Sequence, residues 1–103
     1  MNPTHLIFSY GTLQEPKVQI AIYERLLQGH KAILPNYTLA NKKMYGQYPV
    51  VIPNTGLSIA GVAYEINEAE LALTDAYEGP DYTRRLLPLA NGKKAWVYLE
   101  KPQ

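Results

Sequence analysis

Asn67-Glu68-Ala69-Glu70-Leu71-Ala72-Leu73-Thr74-Asp75-Ala76-Tyr77-Glu78-Gly79-Pro80 carries both a start and a stop signal for a helix, with strand-like sequence on either side. Asn67 suits an N-cap, and Glu70 stands three residues on, in capping-box position. Ile66 and Leu71 occupy the hydrophobic-staple positions around that cap. Gly79 is able to take the left-handed C′ conformation and Pro80 is unable to continue a helix. These signals predict a helix over Glu68–Glu78. Its inward stripe starts at Leu71 and continues through Thr74, Asp75 and Glu78, so it turns acidic toward the C-terminal end.

Working outward, Ser58–Ile66 precedes the helix with Ala60, Val62, Tyr64 and Ile66 alternating as one face of a strand. Beyond it, Arg84–Leu89 and Lys93–Leu99 flank Asn91-Gly92, which predicts a hairpin closed by a type I′ turn. Toward the N-terminus, His5–Tyr10 reads as a short buried strand ended by Gly11. Pro16 suits a first helical turn. From Lys17 to Gln28, Val18, Ala21, Ile22 and Leu26 mark one helical face, with Gly29 as its stop. Lys31–Pro53 is β-branched and aromatic, punctuated by Pro35, Gly46, Pro49 and Pro53, and predicts two or three short strands. The order of elements is α+β, without repeats or linkers.

The 103 residues predict a single domain, 1–103, that hides roughly 65% of the unfolded chain's surface on folding. There is no cysteine, which excludes disulfide scaffolds, thiolate zinc sites and thiol catalysis. A net charge of +1 argues against nucleic acid as a partner. No signal-like start and no apolar run near membrane-spanning length occurs, so the expectation is a soluble cytoplasmic protein without a membrane partner.

Two places have the residue types for chemistry. Glu78 falls in the last helical turn, at the negative pole of the helix dipole, where an anion is disfavoured. Partial burial would raise its pKa further, toward the range a general acid or base needs. The residues alone leave open a solvated carboxylate at a frayed end, or one paired with Arg84 or Arg85. Asp75 reads equally as an exposed or backbone-capping carboxylate. The second place is Tyr10-Gly11-Thr12-Leu13, between a strand and a helix, where N–H groups could form a nest for a carboxylate or phosphate. An ordinary strand-to-helix turn is the alternative there, since the Lys and second Gly of a phosphate loop are lacking.

Other polar residues point nowhere. His5 and His30 have no partner at metal-ligand spacing, are read as surface residues, and imply no metal site. Ser9 and Ser58 lack a triad or a nucleophile elbow. Lys42-Lys43 and Lys93-Lys94 read as solvated hairpin edges. Arg84 and Arg85 alternate along a strand, so at most one faces any pocket.

The two places occur in an order that resembles the γ-glutamylcyclotransferase superfamily. Phe8-Ser9-Tyr10-Gly11-Thr12-Leu13 is similar to its opening strand and loop, and Tyr48-Pro49-Val50-Val51-Ile52-Pro53 to its aromatic-Pro segment. Gly61-Val62-Ala63-Tyr64-Glu65-Ile66, Leu71 to Asp75, Tyr77-Glu78-Gly79 and Tyr82-Thr83-Arg84-Arg85 resemble its second half. The γ-glutamylamine cyclotransferase-like branch is the nearest in pattern.

The resemblance implies a small mixed β-barrel flanked by two main helices, with a pocket between loop and helix end. It implies that Tyr10, Gly11, Thr12 and Leu13 hold the α-carboxylate of a γ-glutamyl substrate, with Tyr82 as a further hydrogen-bond donor. It implies that Glu78 is the catalytic residue. The reaction would be an intramolecular acyl transfer that releases 5-oxoproline and an amine, without a cofactor. A module that binds a small carboxylate or γ-glutamyl compound in the same pocket, without turnover, is the alternative. Of nine tyrosines, only Tyr10 and Tyr82 are tied to the pocket; the other seven read as strand and packing residues. Two departures stand out. Thr74 replaces a usual leucine, which implies slightly weaker helix packing and no role in chemistry. The chain also stops at Lys101-Pro102-Gln103, soon after its last strand, whereas many members of that family continue.

Overall fold

The computed structural model describes residues 4–42 and 48–101. Five strands and two helices follow in the order β1 (Thr4–Ser9), α1 (Pro16–Tyr23), β2 (Gly29–Lys42), β3 (Tyr48–Asn67), α2 (Glu68–Glu78), β4 (Tyr82–Pro88) and β5 (Lys94–Glu100). A 3-10 turn over Thr12–Gln14 joins β1 to α1. The strands form one mixed sheet in the order β2-β3-β1-β5-β4, with β1 antiparallel to β3 and parallel to β5.

The sheet curls into a half-barrel. Its concave side is filled from every strand: Phe8, Leu34, Val51, Ile59, Ala63, Leu87, Ala95 and Val97, with Leu89 just past β4. Full burial of a Leu, Val or Phe side chain contributes roughly 1.5–3 kcal/mol, so this cluster is the main store of stability. The two edges approach one another where Ala90 N–H donates to the Ile33 carbonyl at 2.9 Å. A second cluster lies between the convex side and the helices: Ile7, Leu13, Tyr23, Leu27, Tyr64, Ile66 and Leu71.

This two-sided burial corrects the reading of Ser58–Ile66. Tyr64 and Ile66 are buried beneath the helices, but Ala60 is exposed, and the opposite face buries Ile59 and Ala63 within the half-barrel. The prolines do not break the preceding segment into short strands either. β2 is one 14-residue strand and β3 one 20-residue strand. Pro35 instead marks a register shift, where Asn36 takes a left-handed φ of 69° and its Oδ1 accepts from Gly56 N–H at 3.4 Å. Gly46 and Lys43 lie outside the described residues.

Helix α2 forms over Glu68–Glu78 with both capping-box bonds: Glu70 N–H to Asn67 Oδ1 at 2.8 Å and Asn67 N–H to Glu70 Oε1 at 3.0 Å. Gly79 takes a positive φ of 88°, but its ψ of −177° is extended, so it ends the helix outside the left-handed region. Helix α1 is shorter than its periodicity predicts. It stops at Tyr23, Glu24 turns left-handed, and Leu26 is 58% exposed. Its buried side chains are Gln19 and Tyr23. Gln19 explains the early stop: its Nε2 donates to the Leu13 carbonyl at 2.8 Å, and its Oε1 accepts from Leu27 N–H at 2.9 Å. The chain is thereby drawn back and Leu27 turned inward. Gly29 begins β2 rather than ending a helix; a Cβ there would meet the Tyr64 ring at 2.5 Å.

The β4–β5 turn is not type I′. Only Gly92 has a positive φ, 88°. Leu89 N–H donates to the Lys93 carbonyl at 2.7 Å and Gly92 N–H to the Leu89 carbonyl at 3.0 Å, enclosing the three-residue loop Ala90-Asn91-Gly92. Such loops commonly place a glycine at the positive-φ position. Lys93 and Lys94 are exposed beside it.

Candidate functional site

β1 ends at Ser9, and the chain then turns under the C-terminal end of α2. The result is a cavity of about 230 Å³ lined by Phe8 through Leu13 on one side and by Glu78, Tyr82 and Tyr98 on the other. Every site residue expected from the sequence, Tyr10, Gly11, Thr12, Leu13, Glu78 and Tyr82, borders this one space. Phe8, Ser9 and Tyr98 border it as well, and no local signal in the sequence ties them to it.

The loop is held by its own hydrogen bonds. Gln14 Nε2 donates to the Ser9 carbonyl at 2.9 Å, and Gln14 N–H to the Gly11 carbonyl at 3.1 Å. Gly11 N–H donates to Ser9 Oγ at 3.3 Å, so this amide does not point freely into a nest. The amides of Thr12 and Leu13 open the 3-10 turn and engage no acceptor among the described residues. Helix starts leave such N–H groups free for an anion. Thr12 Oγ1 shares a 2.5 Å hydrogen bond with Tyr77 Oη, which ties the loop to α2.

Glu78 is partly buried at the opposite wall, and burial pushes its carboxyl up to about 7. Neither arginine neutralises it. Arg84 Nε donates to Asp75 Oδ1 at 2.9 Å and its guanidinium lies 4.3 Å over the Trp96 ring; Arg85 is exposed. Neither borders the cavity. Asp75 does not continue the inward stripe: its side chain is 43% exposed, at the rim, where it also accepts from Tyr98 Oη at 2.6 Å. Burial, and after it the Asp75 carboxylate to which it donates, hold the Tyr98 phenol far above its ordinary range.

Thr74 lies directly behind this wall, with no exposed surface. Its hydroxyl donates to the Glu70 carbonyl at 2.8 Å and receives the Tyr23 phenol at 2.6 Å. In place of weakened packing it supplies a satisfied polar link between α1 and α2. Glu70, one turn earlier, ties α2 to the segment that follows α1, since Arg25 binds both its carboxylate oxygens, at 2.7 and 2.8 Å. His5 is likewise no plain surface residue. Its side chain is 23% exposed, its Nε2 lies 2.5 Å from Glu68 Oε2, and Trp96 Nε1 donates to its Nδ1 at 3.4 Å. His30 is exposed, and no group of metal-ligating side chains is present among the described residues. No helix among them is long and apolar enough to cross a membrane.

A family model described as gamma-glutamyl cyclotransferase, AIG2-like, matches residues 7–103. Protein AIG2 C of Arabidopsis thaliana is 29% identical over 111 residues, which cover 97% of this chain and 66% of that protein. A solution structure from Arabidopsis thaliana aligns with a TM-score of 0.81 at 27% identity, over 97% of this chain and 64% of its own. A structure named gamma-glutamyl cyclotransferase shares the fold, with a TM-score of 0.74 at 17% identity over 96% of this chain and 68% of that one. The chain thus spans somewhat less than two thirds of the length of the first two relatives.

Proposed function

Because the chain belongs to the AIG2-like γ-glutamyl cyclotransferase family, we propose that it cyclises the γ-glutamyl group of a small substrate, releasing 5-oxoproline and an amine. One observation carries the reading. Glu78, a partly buried carboxylate pushed up to about 7, borders the same cavity as Thr12 and Leu13, whose amides engage no acceptor among the described residues. The two ends suit the two ends of an α-amino acid. The amide N–H groups donate to the substrate's α-carboxylate, and the Glu78 carboxylate takes a proton from its α-ammonium.

The freed amine then attacks the γ-carbonyl carbon and closes a five-membered ring. Glu78 returns its proton to the departing nitrogen as the amide bond breaks, and the ring nitrogen sheds its second proton by the same carboxylate. No protein nucleophile is needed, because the substrate supplies it. The site's contributions are a near-attack geometry and a proton carrier poised near neutrality. Tyr82 borders the same space and is assigned as a hydrogen-bond donor to the substrate.

The test is 5-oxoproline release from a panel of γ-glutamyl amines and dipeptides, with wild type and Glu78→Gln. Turnover by the wild type and a loss of about 10²–10⁴-fold in the variant is the expected result. Undiminished turnover by Glu78→Gln would remove the carboxylate from the mechanism. Binding of a γ-glutamyl compound without turnover by the wild type would identify a binding module instead.

A further inference from the structure

A second, larger depression of about 700 Å³ adjoins the cavity and shares Tyr10 with it. It is lined by both strands of the β2–β3 ribbon. Lys31 pairs with Val62 and Ile33 with Ala60 across the two strands, so these four side chains stand on one face. Ile33 is 47% exposed and Ala60 is exposed, leaving an apolar floor that α1 does not reach. Gln14 stands at one end and the β4–β5 loop at the other.

The polar groups around this floor are one-sided in charge. The Lys31 side chain is exposed, and its ammonium has no ion-pair or hydrogen-bond partner among the described residues. Asn91 Oδ1 is already occupied by Lys93 N–H at 2.9 Å, which leaves the amide NH₂ of Asn91 as its available donor. Among the described residues, no aspartate or glutamate borders the depression. An ammonium would therefore find no counter-charge there, whereas a carboxylate would find a cation and an amide donor.

Resting on the cyclotransferase reading above, we propose that this depression receives the leaving amine, and that Lys31 selects amines with an apolar stem ending in a carboxylate. The γ-glutamyl end would sit beside Glu78, the scissile amide beside Tyr10, and the stem over Ile33 and Ala60. A leaving group that ends in a second ammonium, as in a polyamine conjugate, is disfavoured by the same charges.

Two γ-glutamyl amides of matched stem length test this, one made from 6-aminohexanoate and one from 1,5-diaminopentane. The expected result is a kcat/KM about fivefold higher for the carboxylate compound, the size of one solvent-exposed ion pair. Lys31→Glu should bring that ratio below one, and Lys31→Arg should keep it. Equal kcat/KM values in the wild type, or a ratio that Lys31→Glu leaves unchanged, would overturn the proposal. If neither compound turns over, the catalytic reading fails on its own, and the groove is judged by calorimetric titration of the same two compounds. A Kd ratio that favours the carboxylate and reverses in Lys31→Glu supports it; equal Kd values, or no binding of either, overturn it.

Discussion

Tyr98 on β5 donates its phenol hydrogen to Asp75 Oδ1 on α2 at 2.6 Å, and Arg84 on β4 donates to the same oxygen at 2.9 Å. The last turn of α2, which carries Glu78, is thereby bound to both strands of the final hairpin. Tyr98→Phe removes the phenol bond while leaving the ring, which is 6% exposed, in place. A hydrogen bond to a charged group contributes about 1.5–3 kcal/mol. The expected loss is at the lower end, about 1.5 kcal/mol, because Asp75 keeps Arg84 and its access to water. Urea denaturation of the two proteins measures it.

Glu78 makes stability depend on pH. Its folded carboxyl sits near 7 against 4.5 as the ordinary value, so between those limits the folded protein holds a proton that the unfolded chain has released. Stability therefore falls as pH rises from about 4.5 to about 7, then levels off. The loss is about 3 kcal/mol at most. Glu78→Gln should match the wild type near pH 4 and exceed it above pH 7. Denaturant midpoints across that range check this. A midpoint difference that does not grow with pH would show that the carboxylate is not held protonated by burial.

The two glycines near the cavity should respond oppositely to a methyl group. At Gly61 a Cβ would meet the Ser9 carbonyl oxygen at 2.4 Å and the Phe8 ring at 2.7 Å. The first contact is backbone, so relief requires β1 and β3 to move apart. Gly61→Ala should cost about 2–3 kcal/mol. At Gly11 a Cβ would meet nothing within 4 Å. Gly11→Ala should leave thermal stability within about 0.5 kcal/mol. On the proposed function, Gly11→Val should in addition weaken binding of a γ-glutamyl compound by crowding the cavity. Paired melting curves and ligand titrations separate the two effects.

Thr74 and Tyr23 should behave as a coupled pair. Thr74→Val keeps the shape but removes the acceptor of a buried phenol, at a cost of about 1–3 kcal/mol. Tyr23→Phe on that background should recover part of the loss, because no unsatisfied hydroxyl remains. A double-mutant cycle in denaturant reads the coupling directly. Additive losses would show that the two hydroxyls do not depend on one another.

Helix α2 was legible in the sequence because its signals act within a single turn. Asn67 and Glu70 bond one another across three residues, and Gly79-Pro80 stops the helix locally. The place of Glu78 in the last turn follows from those limits. Helix α1 misled for a related reason. Val18, Ala21, Ile22 and Leu26 have helical spacing, but the buried contacts are made by Gln19 and Tyr23 with Leu13, Leu27 and Thr74. A glutamine that satisfies two distant backbone groups has no periodic signature.

By itself, the sequence determined the capped helix, the α+β order of elements, and the two segments, Tyr10–Leu13 and Glu78, that border one cavity. Only the tertiary structure decided which side chains meet them there. The final hairpin shows why. A two-residue Asn91-Gly92 turn would pair Ala90 with Lys93 and set Leu99 opposite Arg84. The three-residue loop instead pairs Leu89 with Lys93 and sets Tyr98 opposite Arg84. A one-residue slip turns every side chain of a strand to the other face. What distinguishes the two registers is the Ala90 N–H bond to Ile33, on the far edge of the sheet, and the packing of Leu87 and Leu89 against Leu34 inside the half-barrel. Those partners are remote in sequence, so the turn residues alone do not specify the register. The cavity owes Tyr98, and with it the link to Asp75, to the closing of the sheet.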